Sequence, residues 1–265
     1  MAYEHILFEK KDGIGTITLN KPQIMNAFSP DMMGEIKAVV EQTRLDPEIK
    51  VLVITGAGRA FCSGANPRDL NKGVERLPVE SQLWTSMEKH IFSVARALDL
   101  MDKPFIAAIN GAAVGGGMDL ASLCDIRITS EKAKFGMTYV RMGLAPRGGG
   151  CYLLPRIVGT ANACELIWTG KIIDAKEALR IGYVSRVVPQ EELMPTVMEL
   201  AARLAQGPTV AIRLSKGMIY RCQGMNLEQA IEMHRLAVFV DRETEDAVEG
   251  AKAWVEKREP VFKGK

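Results

Sequence analysis

KPFIAAINGAAVGGGMDLASLCDIRI, Lys103 to Ile128, joins a continuous apolar run, a turn of three glycines, a short helical stretch and a second apolar run. The first run has no polar alternation and is of strand length, which is the pattern of a strand buried on both faces. Gly115-Gly116-Gly117 then lead into a helix. A glycine turn ending at a helix N-terminus offers several unpaired N–H groups and the positive end of the helix dipole, a place where a developing oxyanion can be held. A nucleotide phosphate would suit the same ends, but neither G-x-G-x-x-G nor G-x-x-x-x-G-K-[ST] occurs here.

The pattern continues upstream and downstream. VLVITG, Val51 to Gly56, is another buried-strand run, and Asp125 to Thr129 is a third. Trp84 to Met101 reads as a helix between the first two runs. Strands alternating with helices predict an α/β fold with parallel neighbours and crossover connections. At the N-terminus ILFEK and IGTITLN flank Lys11-Asp12-Gly13, a hairpin signal. Ser29-Pro30 opens a helix with Ser29 as N-cap and Met32, Ile36 and Val40 on its apolar face. After Val188 the pattern turns helical: Glu191 to Ala205, Val210 to Arg221, Leu227 to Val240 and Asp246 to Lys257. The expected division is a core over residues 1–190 and a helical oligomerisation region over 191–265.

With 265 residues, 47% hydrophobic and 25% charged, the chain has the usage of one main globular domain. A formal net charge of +2 gives no large basic field, and 6% aromatics are too few for base-stacking platforms, which argues against nucleic acid. No signal core or membrane-length apolar stretch is present, so the expectation is a cytoplasmic protein that does not enter a membrane. The five cysteines form no C-x-x-C pair and read as reduced and structural. His5, His90 and His234 lack an H-E-x-x-H arrangement, so no metal site is expected.

A second loop of small residues follows the Val51 strand: Gly56-Ala57-Gly58-Arg59-Ala60-Phe61-Cys62-Ser63-Gly64-Ala65-Asn66. It is either a plain tight turn or a place where a ligand comes close to free N–H groups. At this point five ordered blocks carry a resemblance: LNKPQIMNAFS, VLVITGAGRAFCSGAN, the opening stretch, AKFGMTYVRMGLAPRGGG, and EGAKAWVEKREPVFKGK. Together they resemble the crotonase, or enoyl-CoA hydratase/isomerase, superfamily from about Ile6 to the C-terminus. The resemblance implies a spiral of β-β-α turns, a C-terminal helical trimerisation region, and a homotrimer or homohexamer. It also implies a thioester carbonyl held by the backbone N–H groups of Ala65 and Gly116. Coenzyme A would contact Gln23, Ile24, Met25 and Ala60, and, from a neighbouring subunit, Phe262 and Lys263. Coenzyme A is then part of the substrate, and no separate cofactor is expected.

The chain departs from that family's pattern where acid and base are expected. Typical hydratases carry two glutamates, and the matching positions here are Asp119 and Tyr139. Asp119 is a sole acid/base, a first-turn carboxylate that complements the helix dipole, or a remnant. Tyr139 is a core aromatic or a hydrogen-bond donor to substrate or water. Some isomerase-type relatives have an acid where Arg147 stands, and Arg147 pairs with an acid, faces a substrate carboxylate or is simply solvated. Asp125 reads as a structural carboxylate. His90, Arg68 and Asp69 are candidates for the pocket edge, and the acyl pocket itself is expected from Val74 to Ile91 and the C-terminal helices.

The leading expectation is a lyase that hydrates or dehydrates an enoyl-CoA, a cyclic or branched one included, in fatty or aromatic acid metabolism. The alternatives are a double-bond isomerase with Asp119 as single base, and a catalytically weakened binding or scaffold member.

Overall fold

Ile6–Lys11 (β1) and Ile14–Leu19 (β2) pair antiparallel, and the turn between them has positive φ at Asp12 and Gly13, the backbone hand that lets two twisted strands reverse without splaying. The computed structural model describes residues 3–65 and 91–265. Helix α1 (Pro30–Leu45) starts as expected, with the Ser29 hydroxyl accepting from Met32 N at 3.1 Å. It buries Met32, Ile36 and Val40 against the sheet.

Val51–Gly56 (β3) is followed by Ala60–Cys62 (β4), and after the undescribed stretch come α2 (Ile91–Asp99), Phe105–Ile109 (β5), Ala112–Val114 (β6) and α3 (Gly116–Ser122). Ile126–Ser130 (β7) and Lys134–Gly136 (β8) follow, then α4 (Gly150–Val158), α5 (Thr160–Thr169), Ile173–Asp174 (β9), α6 (Ala175–Arg180) and Arg186–Val188 (β10). The large sheet runs β1-β2-β3-β5-β7-β10, parallel from β2 onward, and a smaller sheet runs β4-β6-β8-β9. From β3 onward the large-sheet strands β3, β5 and β7 are each followed by a short one, β4, β6 and β8, and successive pairs advance by one position in both sheets. That is a spiral of β-β-α turns. The short strands occupy segments that read as loops in the sequence, because three residues are too few to show a period.

The continuous apolar runs are explained by burial on both faces. Leu52 and Ile54 join the core that contains α1, while Val51 and Val53 join a second core with Ile106, Ala108 and Ile128. Each such side chain contributes about 1.5–3 kcal/mol on burial. The second core is closed by Leu193, Val197 and Ala201 of α7 (Leu193–Ala205). The first of the C-terminal helices is therefore a cover for the sheet. Beyond it α8 (Thr209–Arg221), α9 (Leu227–Arg242) and α10 (Glu245–Glu256) expose Leu227, Leu236, Phe239, Val248, Trp254 and Val255.

All five cysteines are free thiols, and Cys62 and Cys124 are buried, as structural cysteines should be, while Cys151 is exposed. Among the described residues no helix is long and apolar enough to cross a membrane.

Candidate active site

Two asparagines shape the loop after β3. Asn26 is fully buried, its backbone lies in the left-handed region, and its side-chain amide is shared among the carbonyls of Ala57, Ala60 and Phe61 at 2.9, 2.8 and 3.2 Å. Its carbonyl oxygen accepts from Lys21 N. From the other side Asn110 donates to Gly58 O and Ala60 O and accepts from Gly56 N. Phe28 N then donates to Gly64 O at 2.7 Å, and a parallel bridge joins Phe28 to Ala65. The loop is held from both flanks, so Ala65 arrives in a fixed pose.

The glycine turn is built against it. Gly115, with φ 55° and ψ −122°, makes a corner that only glycine adopts without strain, and its N–H donates to Gly136 O at 2.8 Å. A Cβ on Gly117 would lie 2.0 Å from Cys62 O, so α3 is pressed directly onto β4. The pairing of β4 with β6 puts Cys62 opposite Ala113. Ala65 and Gly116 each come three residues after those partners. The two loops touch: a Cβ on Gly64 would lie 3.0 Å from Gly116 N. Neither the Ala65 nor the Gly116 amide finds an acceptor among the described residues. Two free donors at adjacent loop ends are the arrangement that stabilises a developing oxyanion.

Asp119 lies one turn into α3 and is wholly buried. Its Oδ2 accepts the Tyr139 hydroxyl at 2.5 Å and Gly148 N at 2.9 Å. Its Oδ1 is buried without a hydrogen-bond partner, the Gly150 amide approaching it outside hydrogen-bonding geometry. Burial pushes the carboxyl up to about 6, and the Tyr139 and Gly148 donors oppose that only in part. Tyr139 is in a 3₁₀ turn, Thr138–Met142, and its hydroxyl is the nearest polar atom to a Cβ placed on Gly116, at 3.4 Å. Burial first, then the charge of Asp119, push its phenol well above the ordinary tyrosine range, so it remains a donor. Tyr139 is thus a buried aromatic whose hydroxyl is satisfied by Asp119.

The whole of this framework is what a family comparison matches. The family model for enoyl-CoA hydratase/isomerase covers residues 9–265. The chain belongs to that family. Crotonyl-CoA hydratase of Syntrophomonas wolfei is 38% identical over 263 residues, 99% of each chain. The 1,2-epoxyphenylacetyl-CoA isomerase of Escherichia coli is 36% identical over 262 residues, again 99% of each. The crystal structure of an enoyl-CoA hydratase from Bacillus anthracis superposes with a TM-score of 0.92 at 33% identity, covering 99% of this chain and 100% of that one.

Within this enoyl-CoA hydratase/isomerase framework the remaining candidates divide into three places. Gln23 and Ile24 lie in an exposed 3₁₀ turn, Pro22–Ile24, capped by Met25 beside the first loop, with Ser63 N donating to Met25 O at 3.0 Å. Ala60 is buried, its carbonyl already accepting from both asparagines. Phe262 and Lys263 fold back on α10: Lys263 N and Gly264 N donate to the two oxygens of Asp246. The tail there meets Thr209 and Lys50, at the N-terminal end of β3, the opposite end of that strand from the first loop. Asn66, Arg68, Asp69, His90 and the pocket segment from Val74 lie outside the described residues.

Asp125 has the structural role expected of it, accepting from Phe105 N, Lys216 Nζ and the Tyr220 hydroxyl. Asn26 and Asn110 were quoted in the family blocks without a role. A buried asparagine between Met25 and Ala27, among small and apolar neighbours, is the signal that could have found the first. The pairing of Asp119 with Tyr139 had one visible sign: both positions depart from the two-glutamate pattern together, and a phenol donor replaces what would be a like-charge neighbour.

Proposed function

We propose that the chain hydrates, and in reverse dehydrates, an enoyl-CoA thioester, with coenzyme A entering as part of the substrate and no further cofactor. The observation that carries this reading is the buried Asp119–Tyr139 pair at 2.5 Å beside two unpaired amides, Ala65 N–H and Gly116 N–H. The thioester oxygen accepts from both amides. Asp119 takes a proton from water through the Tyr139 hydroxyl as the water oxygen bonds to Cβ. The π pair moves toward the thioester, leaving an enolate whose charge rests on the oxygen between the amides. The proton then returns by the same route to Cα, and Asp119 is a carboxylate again. Each oxyanion donor contributes roughly 100–1,000-fold in rate and the proton shuttle roughly 100–10,000-fold.

A second reading is favoured by the presence of one carboxylate in place of two. A single shuttle suits double-bond isomerisation, in which Asp119 removes a proton from Cγ and returns it to Cα. The experiment is to incubate the protein with a 2-enoyl-CoA and a 3-enoyl-CoA of equal length and weigh the products. Gain of one water on the 2-enoyl thioester is the expected result. Interconversion at constant mass would favour the isomerase, and no turnover across short, branched, aromatic and alicyclic thioesters would leave the binding-subunit reading.

In the same proposal the active form is a cytoplasmic homotrimer or homohexamer. Two features support the assembly: the apolar side chains exposed on α9 and α10, with Trp254 86% exposed, and a tail that ends far from its own chain's loops, so that Phe262 and Lys263 reach a thioester only from a second copy. Light scattering tests it, and a fully active monomer would refute it.

A further inference from the structure

Three glycines in a row, Gly148-Gly149-Gly150, lead into α4 and lie directly against Asp119. Gly148 donates its amide to Oδ2 at 2.9 Å, and a Cβ there would lie 2.6 Å from the Asp119 Cβ and 2.7 Å from Oδ2. A Cβ on Gly150, the first residue of α4, would lie 2.4 Å from Oδ1. Side-chain carbons do not come that close to other atoms, so both positions admit only glycine while Asp119 keeps this pose. Gly149 has φ 90°, the left-handed region, and turns the chain so that its two neighbours meet one carboxyl group. The N-terminus of α4, which has no side-chain cap, thus meets an oxygen that is wholly buried and without a partner. The positive end of a helix favours the anionic form of such a group.

Burial of a carboxyl group does not by itself call for this contact. A cation is the usual answer, as Lys216 is for Asp125. Asp119 has none in hydrogen-bond contact among the described residues, and Arg147, next to Gly148, makes no hydrogen bond to it. The Tyr183 phenol feels its charge, but that hydroxyl is taken up by Met118 O and Ser122. What opposes the desolvation of Asp119 is therefore the Tyr139 hydroxyl and the backbone of the glycine turn. We infer that Gly148 and Gly150 are positioning residues for the proton shuttle: their lack of a Cβ lets the turn and the N-terminus of α4 press on both carboxyl oxygens and hold Asp119 on the Tyr139 hydroxyl. The inference rests on the reading of Asp119 as acid and base, and adds the element that sets its pose and its readiness to ionise.

Infrared titration of the full-length protein reads this without turnover. The protonated carboxyl band of Asp119 is assigned by its loss in Asp119→Asn, and its disappearance with rising pH gives the ionisation midpoint. Gly148→Ala forces the carboxyl off the amide and so weakens a bond to the charged form, and the midpoint should move to a roughly tenfold lower proton concentration. Gly150→Ala sets a methyl group against Oδ1 and should move it in the same direction. Both should lower kcat by roughly 100-fold, because a displacement of about 1 Å suffices for that. Calorimetric binding of the saturated butanoyl-CoA should be retained and shows each variant to be folded. In the Asp119→Asn background Gly148→Ala should cost nothing further in kcat, there being no carboxylate left to hold. Asp125→Asn is the control for lost stability, and its Asp119 midpoint should match the wild type. An unmoved midpoint in either variant that binds butanoyl-CoA, or a loss of butanoyl-CoA affinity as large as the loss of kcat, would overturn the inference. The two proposals fail separately. A protein that hydrates crotonyl-CoA with unmoved midpoints loses only the positioning turn, and one with moved midpoints but no turnover loses only the hydration.

Discussion

Asp119 and Asp125 stand on either side of the end of α3, and the fold treats them in opposite ways. Asp125, at the start of β7, accepts an amide, a lysine ammonium at 2.8 Å and a tyrosine hydroxyl at 2.7 Å. Asp119 accepts one phenol and one amide, has a bare buried Oδ1 and meets no cation in hydrogen-bond contact. The first carboxylate is a pin between β5, β7 and α8. The second is kept in a low-dielectric site where its charged form is penalised, so a proton can arrive and leave near neutral pH. Residue type alone does not separate two such acids, one fully buried and one partly exposed. Burial and the presence of a counter-charge do.

The comparison breaks first at Asp119. Asp119→Asn should lower kcat by roughly 100–10,000-fold while thioester affinity, measured by titration, stays within about threefold. If turnover stays within about threefold of wild type, the carboxylate is not the shuttle.

The pH profile sharpens the same point. Because burial raises its pKa, Asp119 is neutral at low pH and ionises only as pH rises through about 6, so if it is the base kcat/KM should climb through that value and level off above it. The Tyr139 donor favours the carboxylate, so Tyr139→Phe should move that limb to higher pH and lower kcat by roughly tenfold. An unmoved limb would reduce Tyr139 to packing.

At the other acid the expected change is in stability. Asp125→Asn keeps the shape but loses the ion pair with Lys216, and denaturant unfolding should show a loss of about 1–3 kcal/mol with kcat unchanged. A fall in kcat larger than in stability would erase the distinction between the two acids. The smallest effect is expected at the tail. Removing residues 260–265 should raise KM for the thioester and spare kcat, since Phe262 and Lys263 would supply uniform binding. A fall in kcat alone would exclude that role.

Much of this was legible before any coordinates. The runs at Val51, Phe105 and Asp125 gave strands because burial on both faces leaves no room for polar alternation, and Ser29-Pro30 gave a helix start because cap and φ restriction are local. The glycine turn was legible for the same reason, backbone geometry being written within a few residues, whereas Asp119 was picked out by the family resemblance, as the match to one of two glutamates. The second sheet was not, since β4, β6 and β8 have three residues each and pair across long intervals. Nor was the contact between Asp119 and Tyr139, which depends on how α3 and the Thr138 turn meet in space. The contact of α7 with the sheet was hidden for a similar cause: an amphipathic pattern shows that one face is buried without showing against what.

The step of three residues from Cys62 to Ala65 and from Ala113 to Gly116 has a consequence for how the spacing of these two amides can persist through sequence change. Paired strands stand about 4.8 Å apart whatever their side chains, because the peptide hydrogen bond fixes that spacing. The two amides start from neighbouring rails of one sheet and run the same distance beyond the last tie. Their gauge is therefore inherited from the peptide group, and side chains around them can change while the gap between the two amides keeps its width.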